Sequence, residues 1–363
     1  MDKKNLRDRI AGSFYGLLVG DAFGCPVEGY PPKKIRKTFG KLTELEESRH
    51  WRWPRGLHSD DGQQAIMVCD SVLSSPENPG QVFAKLIVDM YHAGPKGFFK
   101  FGLHRGTGGN FRRTVKTLTR GRKWNQAATL TAGNGAAMRI APLGLFFRDN
   151  LEGLSRAVID LTRVTHLDIR GIAAASAVAY TVARALSWKE KAANLADEEM
   201  AKFVHEVEEQ SSAILKRKLN MHDFSKALLL LFSSLDEPQQ NVLKKIEDHA
   251  NKTSLFPGGP TTGFVLSSVI TSLYMFFSSE NFEQALIDIV MLGGDTDTTG
   301  AMTGQLCGAL YGPEKIPRRW LEALVAFNSL EDRIEALLER KTPFKPQKTA
   351  VKMESQWMEQ YFR

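Results

Sequence analysis

Residues 293–312 read GGDTDTTGAMTGQLCGALYG, and this stretch decides the fold. After Thr298 the residues are small and mostly apolar, and a glycine recurs at every fourth position from Gly300 to Gly312. Residues four apart share one face of a helix, and each glycine there costs about 1 kcal/mol relative to alanine. The spacing therefore predicts a central helix that is stabilised by close packing against another helix.

The first turn of that helix carries Asp295 and Asp297 among threonines. These side chains can cap a helix, but a cap needs only one such residue. No Lys or Arg occurs between Thr253 and Glu314, in a protein that has 48 of them. Carboxylates entering an apolar core without a basic partner require a cation or neutralisation, and Asp and Thr oxygens suit Mg²⁺ or Ca²⁺. The stretch favours a metal site, with capping as the alternative.

A second acid cluster, Ser59-Asp60-Asp61, precedes another apolar helical run. Taken alone, this doublet is more typical of capping than of metal binding. It also lies in a segment without Lys or Arg, from Gly56 to Ala84. We therefore expect the two clusters to bring four carboxylates to one cleft that holds cations.

The N-terminal segment predicts a helix over residues 5–20, again with glycines four apart, followed by a Gly/Pro-rich loop that contains Glu28. Its basic start and apolar continuation also resemble a signal peptide, and Gly24-Cys25 hints at a lipoprotein cleavage site. Asp21 argues against cleavage, because small uncharged residues are expected there. We expect a mature helix in a soluble, cytoplasmic protein, and three widely spaced cysteines fit a reducing compartment.

Composition and periodicity indicate the fold class. The chain has 363 residues, 42% of them hydrophobic and 25% charged, with a net charge of +7 that mildly favours anionic partners. The basic residues are scattered, so nucleic-acid binding is the minority interpretation. Helical periodicity dominates, which predicts an all-α protein.

We expect one catalytic domain over residues 1–340, with 188–252 as a candidate peripheral helical insert and 341–363 as a surface tail.

Several motifs in one order resemble those of the ADP-ribosylglycohydrolases, over residues 8–316. That family includes the dinitrogenase-reductase-activating glycohydrolase and the ADP-ribosyl-arginine and ADP-ribosyl-serine hydrolases. The matching motifs are Gly20-Asp21-Ala22-Phe23-Gly24 with Pro26 and Glu28, Ser59-Asp60-Asp61, Gly133-Asn134-Gly135 with Met138-Arg139, Thr165-His166, and Gly293-Gly294-Asp295-Thr296-Asp297-Thr298.

The resemblance implies a compact, orthogonal multi-helix bundle with two Mg²⁺ ions, or Mn²⁺ in their place. By resemblance, the metal ligands are Ser59, Asp60, Asp61, Asp295, Asp297 and Thr298. The expected ADP-ribose-binding residues are Gly133, Asn134, Gly135, Ala136 and His166. The catalytic candidates are Glu28, Asp61 and Asp297, with Glu28 matching an acid on the family's mobile loop.

The implied activity is hydrolysis of the glycosidic bond in an ADP-ribosyl conjugate of a protein side chain or a small molecule, with no membrane partner. One alternative is an inactive relative that binds ADP-ribose or has a structural role. Another is a metal phosphohydrolase of the HD type, for which Met221-His222-Asp223 is the only hint. The chain also departs from the family's usual Thr-Asp-Asp-Thr, because Ser59 and Gly62 replace the threonines. We expect Gly62 to weaken the metal site modestly.

Overall fold

A computed structural model describes residues 2–97, 100–188 and 193–362. Within those ranges the regular structure is helical, and extended pairing occurs only as isolated bridges such as Ser48 with Trp53. The all-α prediction is confirmed. The α-helices, in chain order, are α1 (Lys3–Gly24), α2 (Pro32–Phe39), α3 (Asp60–Ser74), α4 (Pro79–Ala93), α5 (Gly109–Leu118), α6 (Ala141–Phe146), α7 (Leu151–Thr162), α8 (Ile169–Ala185), α9 (Ala193–Leu215), α10 (Asp223–Phe232), α11 (Gln239–Asn251), α12 (Val265–Ser278), α13 (Phe282–Met291), α14 (Thr296–Tyr311), α15 (Arg318–Ala323), α16 (Glu331–Glu339) and α17 (Ala350–Tyr361).

The glycine faces of α1 and α14 pack directly against each other. A Cβ added at Gly16 would lie 2.3 Å from the carbonyl oxygen of Gly304, and one added at Gly304 would lie 2.0 Å from the carbonyl oxygen of Gly16. Gly20 and Gly300 face each other in the same way. Only glycine permits this backbone-to-backbone approach, so the four-residue spacing correctly predicts a tightly paired central helix.

Within the described residues, one helical segment, Lys3–Val27, is long and apolar enough to cross a membrane. Its apolar window is entirely buried inside the protein. The contact with α14 accounts for this burial, because α14 is itself buried along almost its whole length. The apolar composition of α1 is therefore explained by its place in the core.

The other helices surround this pair. Helix α14 also packs against α8, α12 and α13, and α3 packs against α1 and α4. The segment 188–252, of which residues 189–192 lie outside the described part, forms α9 to α11 and packs on α8 and α12. Its Val204 and Leu228 belong to the main hydrophobic core. Residues 341–362 include α17, which packs on α3 and α4.

One end of the central pair positions the acid clusters, because the C-terminal end of α1 meets the first turns of α3 and α14. The Thr296 hydroxyl donates to the Gly24 carbonyl oxygen at 2.9 Å. The Asp21 carboxylate accepts hydrogen bonds from the backbone N–H groups of Ser59 and Gly62, each at 2.8 Å. These contacts bring the two acid clusters, which are far apart in sequence, to one place.

Candidate active site

The acid clusters line one cleft of about 310 Å³. Of the predicted site residues, Ser59 and Ala136 are buried behind its surface, and the others line the cleft. The lining residues from the prediction are Glu28, Asp60, Asp61, Gly133, Asn134, Gly135, His166, Asp295, Asp297 and Thr298. The fold therefore brings the predicted metal, substrate and catalytic residues together.

The capping interpretation holds for the N-cap residue of only one of the two clusters. Ser59 caps α3, since its Oγ accepts from the Asp61 N–H at 3.2 Å, and it also donates to Asp61 Oδ2 at 2.9 Å. Asp295 precedes α14 but makes no side-chain capping bond. Its Oδ2 instead accepts from Asn134 Nδ2 at 2.8 Å. The Asp295 carboxylate thus faces the cleft and does not cap the N-terminus of α14.

The cleft carboxylates repel one another and are poorly solvated. Burial raises the pKa of Asp60, Asp61 and Asp297 well above the usual range, and neighbouring carboxylates raise it further. Asp61 Oδ1 is also buried without a hydrogen-bond partner. An unpaired buried carboxylate oxygen among like charges is the environment that a bound cation would stabilise.

The donor set suits a hard divalent cation. The two acid clusters contribute carboxylates and the Thr298 hydroxyl to the cleft, and Mg²⁺ and Mn²⁺ both take such oxygen ligands. The carboxylates of Asp60, Asp61, Asp295 and Asp297 converge from the starts of two helices. These residues fit the metal centre that the sequence predicts.

Arg139, which is not among the predicted site residues, brings a base into the cleft. Among the described lining residues it is the only Lys or Arg. It is 1% exposed, and burial lowers its pKa to about 9. Its guanidinium donates to Gln64 Oε1 and, at 2.6 Å, to Thr165 Oγ1. The segments that carry the acids lack bases, but the cleft as a whole contains one, which offsets part of the negative charge.

Glu28 lies at the edge of the cleft, after the short turn that ends α1. Burial raises its pKa to about 6; the Asp295 and Asp21 charges act in the same direction, and a hydrogen bond from Trp51 opposes them. Trp51 Nε1 donates to Glu28 Oε2 at 3.0 Å, and its ring stacks on Trp53 with centroids 5.3 Å apart. Trp51 is 38% exposed, whereas Trp53 is buried.

Asn134 and His166 form another wall of the cleft. The backbone N–H of Asn134 donates to the Gly263 carbonyl oxygen at 3.0 Å, which fixes the turn that carries its side chain. Thr165 Oγ1 and His166 Nδ1 lie 2.7 Å apart. Burial, with a smaller contribution from Arg139, lowers the pKa of His166 to about 3, so its ring is neutral at physiological pH. Cβ atoms at Gly133 and Gly135 would lie 3.7 and 3.6 Å from His166 Nε2, in ordinary van der Waals contact, so larger side chains there would occupy space along this wall.

Steric contacts explain why position 62, which departs from the family pattern, is a glycine in this chain. A Cβ at position 62 would lie 2.7 Å from His58 Cδ2 and 2.6 Å from Leu18 Cδ2. The His58 ring therefore occupies the space that a larger residue would need. His58 itself is fully buried, and no pattern in the sequence indicated its proximity to the site.

Comparisons with known proteins point to one family. A family model described as ADP-ribosylglycohydrolase matches residues 2–346. The chain is 26% identical over 332 residues to the ADP-ribosyl-dinitrogen reductase glycohydrolase of Rhodospirillum rubrum, covering 89% of this chain and 92% of that protein. It is 25% identical over 363 residues to ADP-ribosylhydrolase ARH3 of Gallus gallus, covering 91% of this chain and 93% of that one.

Two further similarities extend over most of the chain. ADP-ribosylarginine hydrolase Tri1 of Serratia proteamaculans is 22% identical over 335 residues, which cover 92% of this chain and 78% of that protein. A solved structure described as an ADP-ribosylglycohydrolase-related protein complex matches with a TM-score of 0.64 and 26% identity. That match covers 93% of this chain and 100% of the solved chain.

Proposed function

Because the chain belongs to the ADP-ribosylglycohydrolase family, we propose that it uses two bound Mg²⁺ ions to hydrolyse the glycosidic bond of an ADP-ribosyl conjugate and release ADP-ribose. Mn²⁺ would serve in place of Mg²⁺, since both accept octahedral oxygen sites. The observation that carries the proposal is the convergence of four buried or half-buried aspartates beside Glu28 in one cleft. Within the described lining, Arg139 is the only Lys or Arg that balances them.

The proposed metal ligands are those implied by the resemblance: Ser59, Asp60, Asp61, Asp295, Asp297 and Thr298. Bound ions would supply Lewis-acid polarisation of water and of ribose hydroxyls. The chain's own contribution is to hold the ligands in place. Asn134 fixes the Asp295 carboxylate through a 2.8 Å hydrogen bond, and the Asp21 carboxylate fixes the backbone around Ser59.

Glu28 is proposed to transfer the proton. Hydrolysis of a glycosidic bond passes through an oxocarbenium-like state, in which a flanking carboxyl group moves a proton between water and the leaving group. A pKa of about 6 suits this task, because catalysis by proton transfer is most effective when the group titrates near the working pH. The Trp51 indole holds the Glu28 carboxylate at the cleft edge.

The ADP-ribose would lie along the wall formed by Gly133, Asn134, Gly135 and the neutral His166, with Ala136 behind it. Glycines allow a ligand to approach the backbone closely, and a neutral imidazole hydrogen-bonds without adding charge. The three cysteines, Cys25, Cys69 and Cys307, are buried and form no disulfide with one another. They support a cytoplasmic location, where a conjugate of a protein or of a small molecule would be the substrate.

The experiment is to measure ADP-ribose release from ADP-ribosyl-arginine, ADP-ribosyl-serine and O-acetyl-ADP-ribose, with Mg²⁺ and with EDTA. Asp295→Asn is the matched control, because it keeps the shape and removes the charge. We expect metal-dependent release from at least one conjugate, abolished in Asp295→Asn. Tight ADP-ribose binding without release from any conjugate would favour an inactive relative, and neither release nor binding would overturn the proposal.

A further inference from the structure

The last helix, α17, lies beyond residue 346, where the match to the family model ends. The sequence predicts a surface tail here, yet Met353, Glu354 and Trp357 are buried. Glu354 is 1% exposed, although a glutamate is almost never fully buried unless it is paired. Glu354 therefore requires buried partners that offset its charge.

The partners of Glu354 are two buried side chains next to the cleft. Its Oε2 accepts from Arg105 Nη1, and its Oε1 lies 3.1 Å from His58 Nε2. Arg105 Nε also donates to the His58 carbonyl oxygen at 3.1 Å. The Trp357 ring meets the His58 ring edge-on, with centroids 5.4 Å apart. Glu354 thus connects α17 to the loop that carries His58 and to the loop that carries Arg105.

Each of those loops carries part of the cleft. His58 directly precedes Ser59 and Asp60, and its ring fills the space beside Gly62. Arg105 directly precedes Gly106, which lines the cleft with a φ of +68°. A Cβ at Gly106 would lie 3.2 Å from Asp60 Oδ1, so the Gly106 backbone lies against that carboxylate.

We propose that Glu354 is a positioning residue of the active site: through Arg105 and His58, the C-terminal helix fixes Asp60 and the glycine loop at Gly106 for metal binding. This inference rests on the proposed function, since it takes Asp60 as a metal ligand. Glu354 does not touch the cleft itself. It acts from behind both loops at once, as groups that orient metal ligands commonly do.

The test compares Mn²⁺ affinity, measured on full-length proteins by electron paramagnetic resonance, in the parent, Glu354→Gln and Met353→Ala. The Glu354→Gln variant keeps the side-chain shape and removes the charge that Arg105 needs. The Met353→Ala variant loosens the same helix elsewhere, because the Met353 sulfur lies 4.0 Å from Arg333 Nη1. We expect Mn²⁺ binding to weaken by about tenfold or more in Glu354→Gln, and to stay at the parental value in Met353→Ala.

A folded Glu354→Gln protein with parental Mn²⁺ affinity would overturn the inference, as would equal weakening in both variants. Glu354→Asp is a second variant for the case in which Glu354→Gln does not fold. It keeps the negative charge but shortens the side chain by one methylene. It should weaken Mn²⁺ binding in the same direction, and unchanged affinity in this folded variant would also overturn the inference. If the parent releases no ADP-ribose while Glu354→Gln still weakens Mn²⁺ binding, the proposed activity fails and the positioning role stands.

Discussion

Replacing Gly304 with alanine tests the contact on which the fold depends. The new Cβ would lie 2.0 Å from the carbonyl oxygen of Gly16 and 2.8 Å from its carbonyl carbon, whereas ordinary Cβ contacts begin at 3.4 Å. The obstacle is the backbone of a buried helix, which cannot turn away as a side chain can. Helices α1 and α14 would therefore have to separate by roughly 1 Å, a gap that forfeits a quarter to a half of each dispersion contact.

The magnitude follows from two opposing effects. Overpacking a well-packed core costs about 1–3 kcal/mol and occasionally more, and backbone obstruction places Gly304→Ala at or above the upper end. The higher helix propensity of alanine offsets about 1 kcal/mol of this cost. We expect the free energy of unfolding to fall by about 2–3 kcal/mol.

Urea denaturation followed by far-ultraviolet circular dichroism measures this change. Gly97→Ala is the matched control, because Gly97 is exposed and a Cβ there would meet no atom of the described residues within 4 Å. The control should stay within about 0.5 kcal/mol of the parent. If Gly304→Ala proved as stable as Gly97→Ala, the backbone-to-backbone packing of α1 and α14 would be wrong.

Three further predictions concern proton transfer by Glu28, its pKa, and the charge of Glu354. Glu28→Gln should leave Mn²⁺ binding intact and lower the rate of ADP-ribose release by about 10²–10⁴-fold, the usual range for losing a proton-transfer group; full activity would refute that role. Trp51→Phe removes the donor that lowers the pKa of Glu28, so the apparent pKa in a pH–rate profile should rise above that of the parent; an unchanged profile would show that Trp51 does not act on Glu28. Burial opposes ionisation of Glu354, but Arg105 and His58 outweigh it and lower its pKa to about 2 from the usual 4.5. The stability that ionised Glu354 contributes is therefore fully present above pH 4.5 and is lost as the pH falls to 2. The difference in unfolding free energy between the parent and Glu354→Gln should shrink by about 3 kcal/mol over that range. A difference that does not depend on pH would contradict the ion pair.

The fold and much of the site could be predicted because their signals are local. The glycines of α14 recur within one helix, and their spacing alone requires a close neighbour. The aspartates at the starts of α3 and α14 lie in segments without bases, which distinguishes them from ordinary capping or surface acids. Their convergence in one cleft agrees with that interpretation, while their role as metal ligands stays a prediction.

The residues in and around the site that the sequence did not predict are brought there by long-range contacts, which leave no local pattern in the sequence. Arg139 enters the cleft from a segment outside both base-free windows, so counting charges along the chain could not place it. Arg105 and His58 are 249 and 296 residues from Glu354 in sequence. A glutamate in a polar terminal segment is normally solvated, and only the packed structure shows that this one is buried and paired.

The measurement that most directly tests the central claim is the rate of ADP-ribose release as a function of Mn²⁺ bound per chain. It starts from protein freed of metal with EDTA and uses whichever conjugate the parent hydrolyses best. The four-aspartate cleft predicts no release without metal and a plateau once two Mn²⁺ ions are bound. Full release from metal-free protein, or two bound ions without release from any conjugate, would contradict a metal-dependent ADP-ribosyl hydrolase.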